Sequence, residues 1–191
     1  MKKIVFDIET KNTFREVGSS APTALDISLL VIYDYEAGVY QYYLEKDFPK
    51  LWKILEGADL LIGYNSDHFD IPILNKYYPG DLTAIRSIDL LLEIKKSIGR
   101  RISLENVAQA TLGKTKSGYG LQAVEWWKNG EIEKIRKYCE DDVRITKEVY
   151  EYALTNGHLK YKDLLTIKEA PLNTSAWDTN DTSFVNYTLP L

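Results

Sequence analysis

Apolar positions fall in short runs early in the chain and at helical spacing later. Residues 3–9, KIVFDIE, are rich in β-branched and aromatic side chains and end in a polar turn, which predicts a strand. Residues 11–27 hold Asn12, Gly18, Ser19, Ser20 and Pro22 and read as a loop. The runs 28–35 and 39–44, parted by Glu36, Ala37 and Gly38, predict a hairpin, so the first three strands form a meander. Asp47 and Pro49 open a short helix with Leu51, Trp52 and Leu55 on one face. Residues 59–64 predict another strand. A helix starts near Asp70 with Pro72 in its first turn, and 87–89 reads as a last short strand.

From Leu90 the spacing is helical in four pieces, roughly 90–98, 103–111, 119–129 and 131–155, punctuated by Gly99, Gly113, Gly118, Gly130 and Gly157. Beyond Gly157, 158–167 reads as a small hairpin, and the polar stretch 171–191 as a C-terminal tail of unknown role. The expectation is one domain over 1–170 followed by that tail. Strands first, then strand–helix alternation, then helices predict an α/β fold: a mixed sheet, antiparallel meander plus parallel strands, flanked by helices.

Composition narrows the class. The 191 residues are 45% hydrophobic and 27% charged, as in a globular domain able to bury a core without staples. The single cysteine, Cys139, excludes an intramolecular disulfide and leaves zinc fingers unsupported, so a reducing, cytoplasmic compartment is expected. The N-terminus meets Asp7 and Glu9 before any signal-peptide core develops. No apolar run approaches the ~20 residues of a membrane span, so no membrane partner is expected. A net charge of −4 argues against a nonspecific DNA coat but allows an enzyme that grips a nucleic-acid end locally.

Candidate chemistry lies in three acidic places. Asp7 and Glu9 point to one face of the first strand, with Cα atoms roughly 6.6 Å apart. They either share a cation or lie in a solvated turn. On the helix 131–155, Asp142 falls inside the stripe Ile132, Ile135, Cys139, Val143, Thr146, Tyr150 and Ala153, whereas Glu140 and Asp141 fall on the opposite face. An inward carboxylate needs a metal or a basic partner. Tyr138, one turn before Asp142, can reach the same site. Asp70, read alone, is a helix N-cap. Read together, Asp7, Glu9, Asp70 and Asp142 form an all-oxygen set suited to two Mg²⁺ or Mn²⁺ ions about 3.5–4 Å apart.

These residues resemble a known family. FDIET at 6–10, GYNSDHFDIPIL at 63–74 and YCEDD at 138–142 are similar to the three motifs of the DEDD exonucleases in their tyrosine (DEDDy) form. The second motif is especially close to that of family-B DNA polymerases. Ser103 and Leu104 through Leu112, Gly113 and Lys114, with Lys116 after them, resemble the intervening helix and loop. The resemblance covers about residues 3–155. It implies a DnaQ-like, ribonuclease H-like fold and 3′→5′ exonuclease activity in a free-standing domain. Asp7 would bridge two divalent ions, Glu9 and Asp142 would complete one, and Asp70 would hold the other. Tyr138 would orient water, and Asn65 would face the substrate end. Thr10 and Phe69, inside the first two motifs, join it as substrate contacts. Lys137 occupies the position where histidine-type relatives carry their histidine.

The implied partner is the 3′ end of single-stranded DNA or RNA. Basic residues crowd 95–118, and Arg100, Arg101, Lys114 and Lys116 are candidate phosphate contacts. Phe14 and Tyr119 are candidate stacking rings. Two other readings stay open. One is a proofreading or scaffold domain that depends on a separate polymerase or repair protein. The other is a structural α/β domain whose acids are caps and surface pairs.

Overall fold

The computed structural model describes residues 1–114 and 120–179. Lys116, Tyr119 and the tail beyond Thr179 lie outside the described residues. In chain order the elements are β1 (Lys3–Thr10), α1 (Phe14–Val17), β2 (Ile27–Asp34), β3 (Val39–Tyr43), α2 (Phe48–Leu55), β4 (Leu60–Gly63), α3 (Asp70–Leu74), β5 (Ser87–Asp89), α4 (Leu90–Ile98), α5 (Leu104–Leu112), α6 (Gly120–Lys128), α7 (Ile132–Asn156), β6 (His158–Asp163) and β7 (Thr166–Pro171). The main sheet runs β3-β2-β1-β4-β5. Strands β1–β3 are antiparallel neighbours, while β4 and β5 run parallel to β1. The mixed sheet with covering helices is the expected fold class.

Strand alternation builds two cores. Val5, Leu29, Val31, Leu60 and Ile62 face the layer of α4, α5 and α7. Ile4, Phe6, Ile8, Leu30 and Ile32 face α2 and α3. Since neighbours along a strand alternate faces, Asp7 and Glu9 share the face of Val5 and look toward α7. The parallel β1–β4 ladder spans only Lys3–Val5 opposite Leu60–Ile62. The register of β1 on β2 shifts between Glu9 and Thr10, a local bulge where the strand leaves the sheet.

The loop between β1 and β2 is more ordered than its composition implies. Thr13 and Glu16 form a reciprocal capping box on α1, and Glu16 pairs with Lys128 at the end of α6. The β6–β7 hairpin is longer than predicted, because the buried pair Leu159 and Ala170 extends the ladder to Pro171. Its outer β6 edge is covered by α5. Asn106 accepts from Lys162 N–H (2.7 Å) and donates to Lys162 C=O (3.0 Å). Thr111 makes the same reciprocal pair with Lys160 (3.0 and 2.9 Å). Two helical side chains thus do the work of a neighbouring strand.

Residues 172–179 pack back on the body. Trp177 is buried and stacks on Tyr150, with centroids 5.7 Å apart and rings 7° from parallel. Arg86 donates to the carbonyls of Ala176, Trp177 and Thr179, and Lys3 pairs with Asp178 at 2.8 Å. Trp177→Ala is therefore expected to cost about 3–5 kcal/mol, read as a lower urea midpoint. An unchanged midpoint would show that this segment adds nothing to the core.

Candidate active site

The site forms where the far end of β1 meets α7. One face of α7 buries Ile135, Tyr138, Cys139, Asp142, Val143 and Thr146, the stripe expected from the spacing, although Ile132 is only partly covered. Cys139 seats against β1, its thiol donating to Asp7 C=O (3.3 Å) and Asp7 Oδ2 (3.4 Å). Ligand atoms of Asp7, Glu9 and Cys139 lie within 4.8 Å of one another. Asp142 is buried one helical turn after Cys139, and Tyr138 hydrogen-bonds to it.

Asp70 corrects one reading of the sequence. It is not the N-cap of α3: that position is Phe69, with no side-chain cap bond. Asp70 is instead buried, and its Oδ1 accepts the Ile8 N–H at 3.1 Å. The amide of β1 beyond the β4 ladder outcompetes the helix's own first turn. The actual buried cap is Asp89. It accepts from Leu91 and Leu92 on α4 and from the Asn65 and Asp67 amides, so it fastens the Tyr64–Phe69 loop.

The electrostatics of the cluster are those of concentrated negative charge. Burial, and then the nearby Asp7 charge, hold the Asp70 carboxyl well above the usual range. Burial raises the Tyr138 phenol, with Asp142, Glu9 and Asp7 pushing the same way, so it stays protonated. The Cys139 thiol is raised by burial and by Asp7, Glu9 and Asp142. A neutral thiol is a poor metal ligand. Cys139 therefore positions Asp7, and the usable donors are carboxylate oxygens, which fit hard divalent cations. Sequence reasoning counted Cys139 only as part of the apolar stripe. Its place three residues before Asp142, on the helix face turned to β1, is the signal that could have found it.

Three predicted substrate contacts, Thr10, Phe14 and Phe69, share a groove of about 560 Å³ beside Glu9, with Leu25, Leu121 and Val124 completing its apolar wall. Phe14 and Phe69 meet edge to face at 6.2 Å. Leu121 and Val124, on α6, carry no motif and were not foreseen. Asn65 and Arg101 line a separate cavity of about 290 Å³ with His68 and Lys95. Asn65 adopts φ +66°, and its Oδ1 accepts from Arg101 at 2.5 Å. Two other predicted cations are engaged elsewhere: Lys114 with Glu148 at 2.6 Å, and Arg100 with Asp163 at 2.9 Å, over the Tyr161 ring.

A family model of the RNase H superfamily matches residues 4–154. A DNA polymerase from Pyrococcus glycovorans is 26% identical over 192 residues, covering 78% of this chain and 24% of that protein. A DNA polymerase from Thermococcus aggregans is 30% identical over 121 residues, covering 48% of this chain and 7% of that protein. The chain thus spans about a quarter or less of these relatives. The structure of the family B DNA polymerase from the hyperthermophilic archaeon Pyrobaculum calidifontis has a similar fold (TM-score 0.61, 20% identity, 81% of this chain and 24% of that one).

The raised Asp70 carboxyl gives a stability prediction. A carboxyl held above its unfolded value contributes stability at low pH and loses it as pH rises through the folded value. Asp70→Asn keeps the acceptor for Ile8 N–H and removes that loss. In EDTA the variant should be more stable than wild type at pH 8, read as a higher Tm, with the gain shrinking toward pH 4. Mn²⁺ should raise the wild-type Tm but shift the variant less. A variant less stable than wild type at pH 8 without metal would contradict the charge assignment.

Proposed function

The chain belongs to the RNase H superfamily, and within it we propose a metal-dependent 3′→5′ exonuclease of the DEDDy type, acting on the end of a single strand. The observation that carries this reading is the close pair Asp7 and Glu9 on β1, with buried Asp70 of α3 near enough to feel the Asp7 charge and buried Asp142 of α7 hydrogen-bonded to the Tyr138 hydroxyl beside them. Asp7, Glu9, Asp70 and Asp142 would hold two Mg²⁺ or Mn²⁺ ions. Bound there, such ions would supply a water of lowered pKa and stabilisation of the leaving 3′-oxygen.

The chain's own groups do the rest. Tyr138 remains protonated and donates its one O–H to Asp142, so its phenolic oxygen accepts a hydrogen bond from the attacking water and orients it rather than acting as a base. Asp142 steadies that phenol. The Ile8 amide fixes Asp70, and the Cys139 thiol fixes Asp7, so both carboxylates are aimed before anything binds. The groove of Phe14, Phe69 and Thr10 opens beside Glu9 and offers ring faces to the terminal base. In-line attack on the last phosphodiester leaves a nucleoside 5′-monophosphate.

The test is a gel time course on 5′-labelled single-stranded DNA and RNA with Mg²⁺ or Mn²⁺. A ladder shortening from the 3′ end is expected, absent with EDTA and absent in Asp142→Ala. Tyr138→Phe should slow the reaction about a hundredfold through lost water alignment. Full activity in that variant would remove Tyr138 from the mechanism. No degradation of either substrate, together with no Mn²⁺ binding by calorimetry, would overturn the exonuclease reading.

A further inference from the structure

The tip of the β6–β7 hairpin carries features that folding does not ask for. Leu164 and Leu165, the two turn residues, are 89% and 95% exposed, and Ile167 beside them is 63% exposed. Leu164 also sits at φ +56°, a left-handed backbone that glycine or asparagine adopts with less strain. A turn chosen for stability alone would be polar and would place Gly there. Large apolar side chains held out in solvent at a strained turn mark a contact surface.

The surroundings indicate what is contacted. The hairpin is held rigidly by Asn106 and Thr111 of α5. At its tip, Asp163 gathers Arg100 (2.9 Å) and Lys168 (2.6 Å), and Lys162 is exposed next to them. The residue after Arg100 is Arg101, which reaches back to Asn65 in the polar cavity that Lys95 also lines. Two cations share the single Asp163 carboxylate, and Lys162 and Arg101 add to the surplus, so a basic track runs from the Tyr64–Phe69 loop that precedes Asp70 out to an apolar tip, on a chain whose net charge is −4. Cations along a path match phosphates, and exposed leucines match base faces, between which apolar side chains insert.

We propose that this hairpin binds the single strand on the 5′ side of the nucleotide being removed, with Leu164 and Leu165 against its bases and the track from Arg101 to Lys168 along its phosphates. This rests on the exonuclease reading and adds to it a dependence on substrate length. Only a strand long enough to reach the tip gains the contact.

The test uses the full chain and Leu164→Gly/Leu165→Ser, a turn sequence that suits positive φ at its first position and so preserves the hairpin. Anisotropy with 5′-fluorescein oligothymidylates in EDTA reads affinity, and gel cleavage in Mn²⁺ reads the rate. Expected are an unchanged or higher Tm, a roughly fivefold or greater loss of affinity for a 12-mer, and an unchanged cleavage rate on a trinucleotide. Equal 12-mer affinity in variant and wild type overturns the proposal and leaves the tip as a protein contact. If wild type cleaves but the variant loses nothing, the exonuclease reading stands alone. If wild type binds the 12-mer through the tip but never cleaves, the hairpin stands and the carboxylate reading falls. If wild type neither binds nor cleaves, both fall.

Discussion

The site depends on one hydrogen bond, from the Ile8 amide to Asp70 Oδ1. β1 loses its parallel neighbour after Val5, because β4 ends and the chain turns at Gly63. A central strand with an open edge would leave a backbone donor buried without a partner, which is costly. Asp70 supplies the acceptor. In doing so it turns from the start of α3 toward β1 and arrives beside Asp7. The same event that closes the sheet's polar account brings a third element to the carboxylate cluster. Gly63 is part of it: a Cβ there would lie 2.4 Å from the Ser66 side chain, so the tight return of the loop requires glycine.

The cluster is costly to the fold. Asp70, Asp142 and Glu9 are buried; the Asp7 charge adds to burial in raising Asp70, and Asp7, Glu9 and Asp142 raise the nearby phenol and thiol. Nothing in packing rewards that arrangement. It is held in place by neighbours that are themselves well packed: Cys139 and Val143 below, Phe6 and Ile8 on the opposite face of the sheet. Such an acidic cluster is one that a cation would relieve, and with the thiol beside it neutral the donors it offers are oxygens, the ligand type that suits hard divalent ions.

Much of this could be read without coordinates. The alternation in β1 places Asp7 and Glu9 on one face whatever the rest of the chain does. The helical stripe places Asp142 with Cys139 on the inner face of α7. Both are properties of a single element, set by its period. The hairpin of β2 and β3, the α2 face and the glycine stops of the later helices are local in the same sense. Asp70 read alone pointed to a cap, because its position before an apolar run is a good capping signal, and only the set of four acids pointed it inward. The competing acceptor need lies 62 residues away, and no local pattern reports it. The fate of the cations was equally hidden: Arg100 and Lys114 find Asp163 and Glu148, partners from elements that sequence spacing does not bring together.

Sequence alone therefore determined the elements, their buried faces and the acids they carry, because each follows from a period of two or 3.6 residues along one segment. Tertiary structure decided which faces meet. It set α7 against the open end of β1 and turned Asp70 inward. It formed the groove from Phe14, Phe69 and the unforeseen Leu121 and Val124, and returned Trp177 onto Tyr150. Those outcomes depend on where buried donors, acceptors and apolar surface are left over once the sheet has formed, a sum over the whole chain that no single segment contains.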